Sequence, residues 1–501
     1  MFPWCTLCIM NRRAIILYAH SGLDIKAYVS ASGINRHTFT ILLEGTMDVD
    51  KRTLSLTDGP VFRSVIMFAL PILMSNLFQQ LYNSVDGMVT GSFAGSLALA
   101  AVGATGSLIN LLIGFFLGIS TGTGVLFAMY YGAGELHSLK RVLDSAFLLS
   151  VVAGMLISVP GILFAPQLLH LMNTPEDVMP LAVTYLRIYL AGTVINLIYN
   201  TGAGIIRAVG DSKHPLIYLV ISGIANLVMD LLFVAVFDWG VAGAALATVL
   251  AQVIAAVPVV IHLMHFPPEY RLRMFHYDLD RNTIFRVIGI SVPCGLQSSM
   301  FNISNLLIQV EINAFGSAVM AGITAYSRID GFVYMPMMAL SLSCSTYVGQ
   351  NFGAAKYDRA KKGIRICLIA SLLCSLALAI LVVLLSDYLL RLFTTEVNTL
   401  SYAKMMMHYM APFGWIFAFS DILGGAIRGA GKPGPVTVIN GICICLFRII
   451  WLSVLLRFIW DIRIVLACYP VSWLLCSIVT IIYYFRFSQA RRQMNEMSIM
   501  P

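Results

Sequence analysis

Long apolar runs constrain the fold of this chain more than any other feature. They recur along the whole sequence, separated by short polar breaks, and many exceed the roughly 20 residues that a helix needs to cross a bilayer. Only helices and closed barrels satisfy their backbone hydrogen bonds inside a membrane, and these runs lack the alternation of barrel strands. Charged residues make up only 11% of the chain, against about 25% in soluble proteins. We therefore predict an all-α membrane protein.

The runs divide the chain into twelve predicted spans, arranged as two sets of six. A polar loop at 266–282 separates an N-lobe (54–265) from a C-lobe (283–485), and a short basic tail (486–501) follows. The predicted spans are 61–92, 97–128, 142–165, 182–207, 215–237, 241–265, 284–314, 318–348, 363–386, 403–428, 434–459 and 462–485. Residues 1–53 form an extension that we expect to be disordered or to reflect an upstream start codon, since Met47 would make an ordinary cytoplasmic start.

An internal repeat relates the two sets of spans. A shift of 221 residues aligns Gly95 with Gly316 and the segment IRAVG at 206–210 with IRGAG at 427–431. A shift of 222 aligns Pro71 with Pro293. Six spans per half keep both halves in the same orientation, so the repeat is parallel, with a cavity expected between two six-helix lobes. This architecture is more typical of transporters than of receptors or enzymes.

Lysine and arginine predict the orientation in the membrane. They cluster in alternate loops, for example at Lys140, Arg141, Lys361 and Lys362, whereas the opposite loops carry few. The positive-inside rule then places both termini and the loop 266–282 in the cytoplasm. Asp86, the single acid of the first span, lies in the outer half of that span. A carboxylate at membrane depth costs roughly 2.5–3.5 kcal/mol on insertion scales, so we interpret Asp86 as functional.

Several motifs identify a family resemblance. The first span, LPILMSNLFQQLYNSVDGMVTG, resembles that of the multidrug and toxic compound extrusion (MATE) transporters. So do AVGATG, the YYGAGE and GQNFGAAK turns, and the paired segments IIRAVGDSKHP and AIRGAGKPGP. The resemblance covers residues 54 to about 485. It implies twelve helices in two lobes, and export of amphipathic, often cationic compounds against inward flow of Na⁺ or H⁺.

The resemblance implies a coupling site for a cation in the N-lobe. The matching positions are Asp86 in span 1, Asn226 and Asp230 in span 5, and Thr248 in span 6. Asn226 and Asp230 are four residues apart and share one helix face. All four side chains offer oxygen, the ligand type that a hard cation such as Na⁺ prefers. Two neighbouring buried carboxylates can equally hold a proton, so the coupling ion stays open between Na⁺ and H⁺, and no other metal is expected.

The cargo cavity is less clearly marked. Span 7 lacks the central glutamate that some family members carry, and it offers amides instead. Met and aromatic side chains in span 8 suit a promiscuous pocket, although helix packing explains each of them equally well. Pro71 is the expected bend point of span 1. The candidate cavity residues are Gln79, Asn83, Gln297, Asn302, Arg328, Asp330, Tyr334, Met338 and Asp421.

The sequence lacks the motifs of several other classes. No phosphate-binding GxxxxGK[ST] loop, zinc spacing or nucleophile elbow is present, so we expect neither an enzyme nor a cofactor, and transport must draw on an ion gradient. The expected protein is a monomeric multidrug antiporter of the cytoplasmic membrane whose partners are small organic compounds and lipid, without nucleic acid. A lipid-linked precursor flippase is the alternative, but such a cavity needs several cationic residues to hold phosphate groups.

Overall fold

The computed structural model describes residues 56–497, apart from 173, 275 and 395. These residues all belong to one compact unit, Ser55–Pro501. The predicted extension 1–53 and the last four residues of the predicted tail lie outside the described residues. The remainder of that tail continues the last helix to Met497.

Helices make up the architecture of the described residues, confirming the predicted all-α class. Two π-helical segments, Leu231–Val236 and Gly441–Leu446, and a 3-10 turn, Ala411–Phe413, interrupt the α-helices. In chain order the α-helices are α1 Val61–Phe93, α2 Ser96–Ala133, α3 Leu136–Leu163, α4 Ala165–Leu171, α5 Met179–Ala191, α6 Thr193–Ala208, α7 Lys213–Asp230, α8 Gly240–Met264, α9 Arg281–Asn313, α10 Ser317–Gly353, α11 Tyr357–Leu384, α12 Ser386–Arg391, α13 Val397–Met410, α14 Gly414–Gly429, α15 Pro433–Asn440, α16 Phe447–Phe458 and α17 Ile462–Met497.

Ten helical segments in the described part of the chain are long and apolar enough to cross a membrane. The pair α5 and α6, bent by 46°, raises the number to 11 if it forms one span. The sequence predicts twelve membrane spans. The difference lies in the span predicted at 318–348, which falls within α10. That helix has ample length at 37 residues, but it buries polar side chains such as Ser341, Ser343 and Gln350, and these lower its hydropathy.

The two halves of the chain repeat each other in their irregular features. Helices α1 and α9 each have 33 residues with one internal proline, and α3 and α11 each have 28 residues. Gly95 and Gly316 precede α2 and α10 with φ of 88° and 98°, a backbone conformation that glycine adopts without steric cost. A π-helical segment follows both α7 and α15. The structure thus carries the repeat that the sequence predicts.

The lobes meet where α2 packs against α9 and α10. A Cβ atom at Gly132 would lie 1.9 Å from the carbonyl oxygen of Gln350, and one at Gly353 would lie 1.8 Å from that of Met129. Gly132 and Gly353 are equivalent positions of the repeat, so the contact is reciprocal. Only glycine permits this approach of the two backbones.

The segment before each lobe's first helix is held by the other lobe. Arg359 of α11 donates to the carbonyl oxygens of Leu56 (3.3 Å), Asp58 (2.6 Å) and Gly59 (2.7 Å), ahead of α1. We call this contact the first latch. Ahead of α9, the carboxylate of Asp278 accepts from Arg141 Nε at 3.3 Å, and its backbone N–H donates to Asp144 at 2.8 Å. This second latch joins the loop 266–282 to the N-lobe.

The start of α9 is fixed by an N-cap. The carboxylate of Asp280 accepts hydrogen bonds from the backbone N–H of Thr283 at 3.0 Å and from its hydroxyl at 2.9 Å. Both bonds favour the charged form, so they hold the pKa of Asp280 below its usual range. The second half of the repeat therefore begins at a defined residue.

Candidate cation site at helices α1, α7 and α8

The four residues proposed to couple transport to a cation lie on three helices of the N-lobe that pack together. Asp86 is in the last two turns of α1, and Thr248 is in α8. Asn226 and Asp230 occupy the last two turns of α7, and Asp230 is its final residue. Helix α1 runs without a break through the buried Pro71, so the structure has a continuous helix where the sequence suggested a bend point.

Burial separates these side chains from water. Asn226 and Asp230 are each 1% exposed and Thr248 is 8% exposed. Asp86 is half-buried, and its carboxyl group lies near that of Asp230. Two neighbouring carboxylates repel each other unless a proton or a cation lies between them.

Several buried polar atoms of the site form no hydrogen bond with any described residue. Asp86 Oδ1, both carboxylate oxygens of Asp230 and Asn226 Nδ2 are buried without a hydrogen-bond partner among the described residues. A buried polar atom without a partner costs about 1–3 kcal/mol, and more when it is charged. A bound proton or a small hard cation would remove this cost at the carboxylate oxygens, because it supplies the positive charge that they lack, whereas Asn226 Nδ2 is a donor and needs an acceptor.

Aromatic and amide groups that the sequence analysis did not single out surround the carboxylates. The Tyr82 hydroxyl lies near Thr248 and near both acids. Tyr185 approaches Asp86 and stacks on Tyr189 with ring centroids 6.5 Å apart. Tyr82 precedes Asp86 by four residues, so helical spacing could have identified it. Tyr185 lies on a separate span, and no sequence signal connects it to Asp86.

The backbone beside the site is also irregular. Asp230 ends α7 and is followed at once by the π-helical segment Leu231–Val236. Such segments often occur at functional sites because they change the direction in which neighbouring side chains point. Nothing in the residue types of this stretch predicted the change.

The second half of the repeat lacks a copy of this site. At the shift of 221 residues, Asp86 corresponds to Leu307. The C-lobe instead contains a buried polar chain through Arg428, which donates to Gln297 at 3.3 Å and to Ser341 at 3.1 Å. The hydroxyl of Ser341 also donates to Asp421 at 3.0 Å. The structure therefore brings the predicted residues Gln297 and Asp421 to one cluster, with Arg428 between them.

The other predicted cavity residues are spread over separate places. Asp330 accepts a hydrogen bond from Tyr326 at 2.8 Å, and Tyr334 packs on Phe417 with centroids 5.8 Å apart. Asn302 donates to the Asn110 carbonyl at 3.2 Å, a contact between the lobes. The remaining predicted cavity residues are half-buried or exposed, and none of them contributes to the hydrogen bonds described above. They are Gln79, Asn83, Arg328 and Met338.

Fold and site together define a helical membrane transporter built from two repeats. A family model described as MatE matches residues 71–232 and 293–453, and the chain therefore belongs to the MATE family. The two matched segments cover corresponding parts of the two halves, at the offset found in the sequence.

Relatives and solved structures extend this result over most of the chain. The probable multidrug resistance protein YpnP of Bacillus subtilis is 26% identical over 396 residues, covering 78% of this chain and 88% of that protein. The FAD transporter of Shewanella oneidensis is 23% identical over 438 residues, 84% of this chain and 94% of that protein. A solved structure of a multidrug resistance MATE family transporter in the outward-facing conformation shares the fold, with a TM-score of 0.81 at 20% identity, covering 88% of this chain and 99% of that one.

Proposed function

We propose that this protein is a secondary active multidrug exporter that exchanges amphipathic, cationic organic compounds for Na⁺ or H⁺. The coupling ion binds at Asp86 and Asp230, with Asn226 and Thr248 as further oxygen ligands. One observation carries the proposal. Three carboxylate oxygens of two acids are buried beside each other without any partner among the described residues, and one positive charge would satisfy them.

The electrostatics of the pair supplies a mechanism. Two unit negative charges about 4 Å apart repel by roughly 4 kcal/mol at an effective dielectric constant of 20. A proton or Na⁺ that enters from outside removes this repulsion, and α1 then closes onto α7 and α8. Pro71 has no N–H to donate within α1, so the helix yields most easily near that residue. This movement of α1 breaks contacts with the cargo, which then leaves to the outside. The cavity between the two lobes afterwards opens to the cytoplasm again, which completes the alternating-access cycle.

The names of the relatives point to different cargoes, multidrug resistance in one and FAD in the other. An anionic cargo, or the phosphate of a lipid-linked precursor, would need free cations in the cavity. The two buried arginines of the C-lobe are instead engaged by hydrogen bonds within that lobe. Arg448 donates to Ser472 at 2.9 Å and lies 4.5 Å from the Tyr469 ring centroid, and Arg428 donates to Gln297 and Ser341. Asp421, linked to Arg428 through Ser341, offsets the positive charge of that arginine, which supports a cationic or neutral cargo over the flippase alternative.

The loops rich in lysine and arginine support an orientation with both termini in the cytoplasm, and we infer a location in the cytoplasmic membrane. In this orientation the coupling site lies in the outer half of the N-lobe. The coupling ion, which flows inward, can therefore reach the site from outside the cell. No cofactor takes part, because the ion gradient supplies the free energy.

The test is dye efflux from reconstituted vesicles with an imposed Na⁺ gradient or pH gradient. We expect one gradient to drive efflux of a cationic dye by the wild-type protein, and Asp86→Asn to abolish the driven component. Asp177→Asn is the matched control, because Asp177 is exposed and outside the site. Wild-type efflux rates in Asp86→Asn would show that the acid does not couple the ion, and efflux independent of both gradients would reject the antiporter.

A further inference from the structure

Two histidines and an aspartate meet at the other end of the helices that carry the cation site. Asp211 lies in the turn before α7, His214 in the first turn of α7, and His262 in the last turn of α8. One potential ligand atom from each residue lies within 4.8 Å of the other two. None of these residues belongs to the proposed coupling site, which lies four to five turns further along α7.

Hydrogen bonds hold the carboxylate of Asp211 in place. Its Oδ1 accepts from the backbone N–H groups of Lys213 at 3.0 Å and His214 at 3.1 Å, and its side chain is only 8% exposed. Its Oδ2 faces His214 Nδ1 and forms a hydrogen bond with it. The two backbone bonds use one oxygen of Asp211, and the other oxygen faces the imidazole.

The second histidine is oriented by a neighbour as well. His262 Nδ1 shares a hydrogen bond of 3.0 Å with the Tyr218 hydroxyl. When Nδ1–H donates to the Tyr218 oxygen, Nε2 keeps a free lone pair, which is the arrangement typical of a histidine that binds metal. The rings of His214 and His262 lie edge to face, with centroids 4.9 Å apart.

We propose that Asp211, His214 and His262 bind a divalent transition metal of the Zn²⁺ class. Two imidazoles and one carboxylate are a ligand set that Zn²⁺ accepts, whereas Na⁺, Mg²⁺ and Ca²⁺ prefer sites made of oxygen alone. On binding, the metal replaces the hydrogen between Asp211 and His214, the displaced proton moves to Nε2 of His214 or to solvent, and each of the three groups donates one lone pair. The side chain of His214 is 39% exposed, so a solvent molecule can complete a tetrahedral site.

The position of the site gives it a structural consequence. It joins the first turn of α7 to the last turn of α8, and these helices carry Asp230 and Thr248 further along. A metal would cross-link the helix pair at one end, stiffening the frame of the cation site. The metal site itself rests on its own contacts and does not depend on the proposed transport function.

The experiment uses the full-length protein, purified in detergent without a polyhistidine tag, titrated with Co²⁺ and then with competing Zn²⁺. We expect the d–d absorption of tetrahedral Co²⁺ without a thiolate charge-transfer band, displaced by one Zn²⁺ per chain. The missing thiolate band distinguishes this site from binding at cysteines, for example Cys5 and Cys8. His214→Gln and His262→Gln should each lower the affinity by more than about 100-fold, and Tyr218→Phe by about 10-fold.

His265→Gln is the matched control, since His265 lies three residues beyond His262 and bonds to the Ile261 carbonyl at 2.7 Å. The metal affinity of His265→Gln should equal that of the wild type. The proposal is overturned if wild-type protein shows no tetrahedral Co²⁺ spectrum, or if His214→Gln and His262→Gln bind as tightly as wild type. If either variant does not fold, as judged by size-exclusion elution, the wild-type spectrum and the Tyr218→Phe affinity decide the matter.

Discussion

At the scale of single residues, two acids from different helices define the site. Asp86 and Asp230 are 144 positions apart in the chain, yet their carboxyl groups approach each other and their buried oxygens have no partner among the described residues. Their proximity turns two costly side chains into one site for a positive charge.

The sequence could predict these acids because charge is rare in an apolar span. Asp86 was identifiable from the membrane cost of its carboxylate alone, and the family resemblance supplied Asn226, Asp230 and Thr248. Tyr185 and Arg428 escaped prediction because their importance depends on what faces them from other helices. A side chain's partners across a helix bundle are a property of packing, and no local pattern records them.

Tyr82 provides a test at this scale. Its hydroxyl lies near Thr248 and near both acids, so it orients a ligand of the proposed coupling ion without carrying charge. We expect Tyr82→Phe to raise the ion concentration needed for half-maximal efflux by about 10-fold, as loss of an outer-shell partner typically does, with little change in the maximal rate.

The measurement is dye efflux as a function of the coupling-ion concentration. Tyr388→Phe serves as the control, because Tyr388 is 77% exposed on the short helix α12. An unchanged half-maximal concentration in Tyr82→Phe would remove Tyr82 from the site, and an equal fall in maximal rate for both variants would indicate a general defect.

At the scale of helices, the spans were predictable and their interruptions were not. Apolar length fixed the position of most spans to within a few residues, because crossing a bilayer demands it. The polar α10 departs from this rule, since its serines and amides are buried against protein instead of lipid. The π-helical segments after α7 and α15 and the 46° bend between α5 and α6 depend on tertiary packing, which composition does not encode.

The first latch gives a prediction about elements. Arg359 donates to three carbonyl oxygens before α1 and places its guanidinium 5.9 Å from the Tyr347 ring centroid. Removing it should loosen the contact between the lobes at this end. We expect Arg359→Ala to speed maleimide labelling of Cys294, which is 3% exposed at the contact of α9 with α2, and Arg359→Lys to have a smaller effect.

Mass spectrometry of the labelled peptides provides the readout. Cys468, buried within the C-lobe core, reports on general unfolding and should label at the wild-type rate. Lys361→Ala is the control variant, because its ion pair with Asp358 spans 3.8 Å at an exposed surface, where such pairs contribute little. Equal labelling of Cys294 in Arg359→Ala and wild type would show that the latch does not hold the lobes together.

At the scale of the whole molecule, duplication determines the architecture and divergence determines the function. The halves share helix lengths, glycine turns and the reciprocal contact of Gly132 and Gly353, and the sequence offset predicted the duplication that underlies them. They differ where the proposed chemistry lies. The N-lobe has the paired acids, whereas the C-lobe has Leu307 at the position of Asp86 and a polar cluster around Arg428. One lobe would then bind the ion while both enclose the cargo.

In the proposed mechanism, cargo and ion movements are coupled through Asp86 and Asp230. The most direct measurement is ion movement caused by cargo, in vesicles that contain the reconstituted protein and a Na⁺ or pH indicator, with no ion gradient imposed. We predict that a cargo gradient drives one of these ions in the opposite direction, and that Asp86→Asn abolishes the ion flux. Cargo transport at the wild-type rate with no counterflow of either ion would contradict the account.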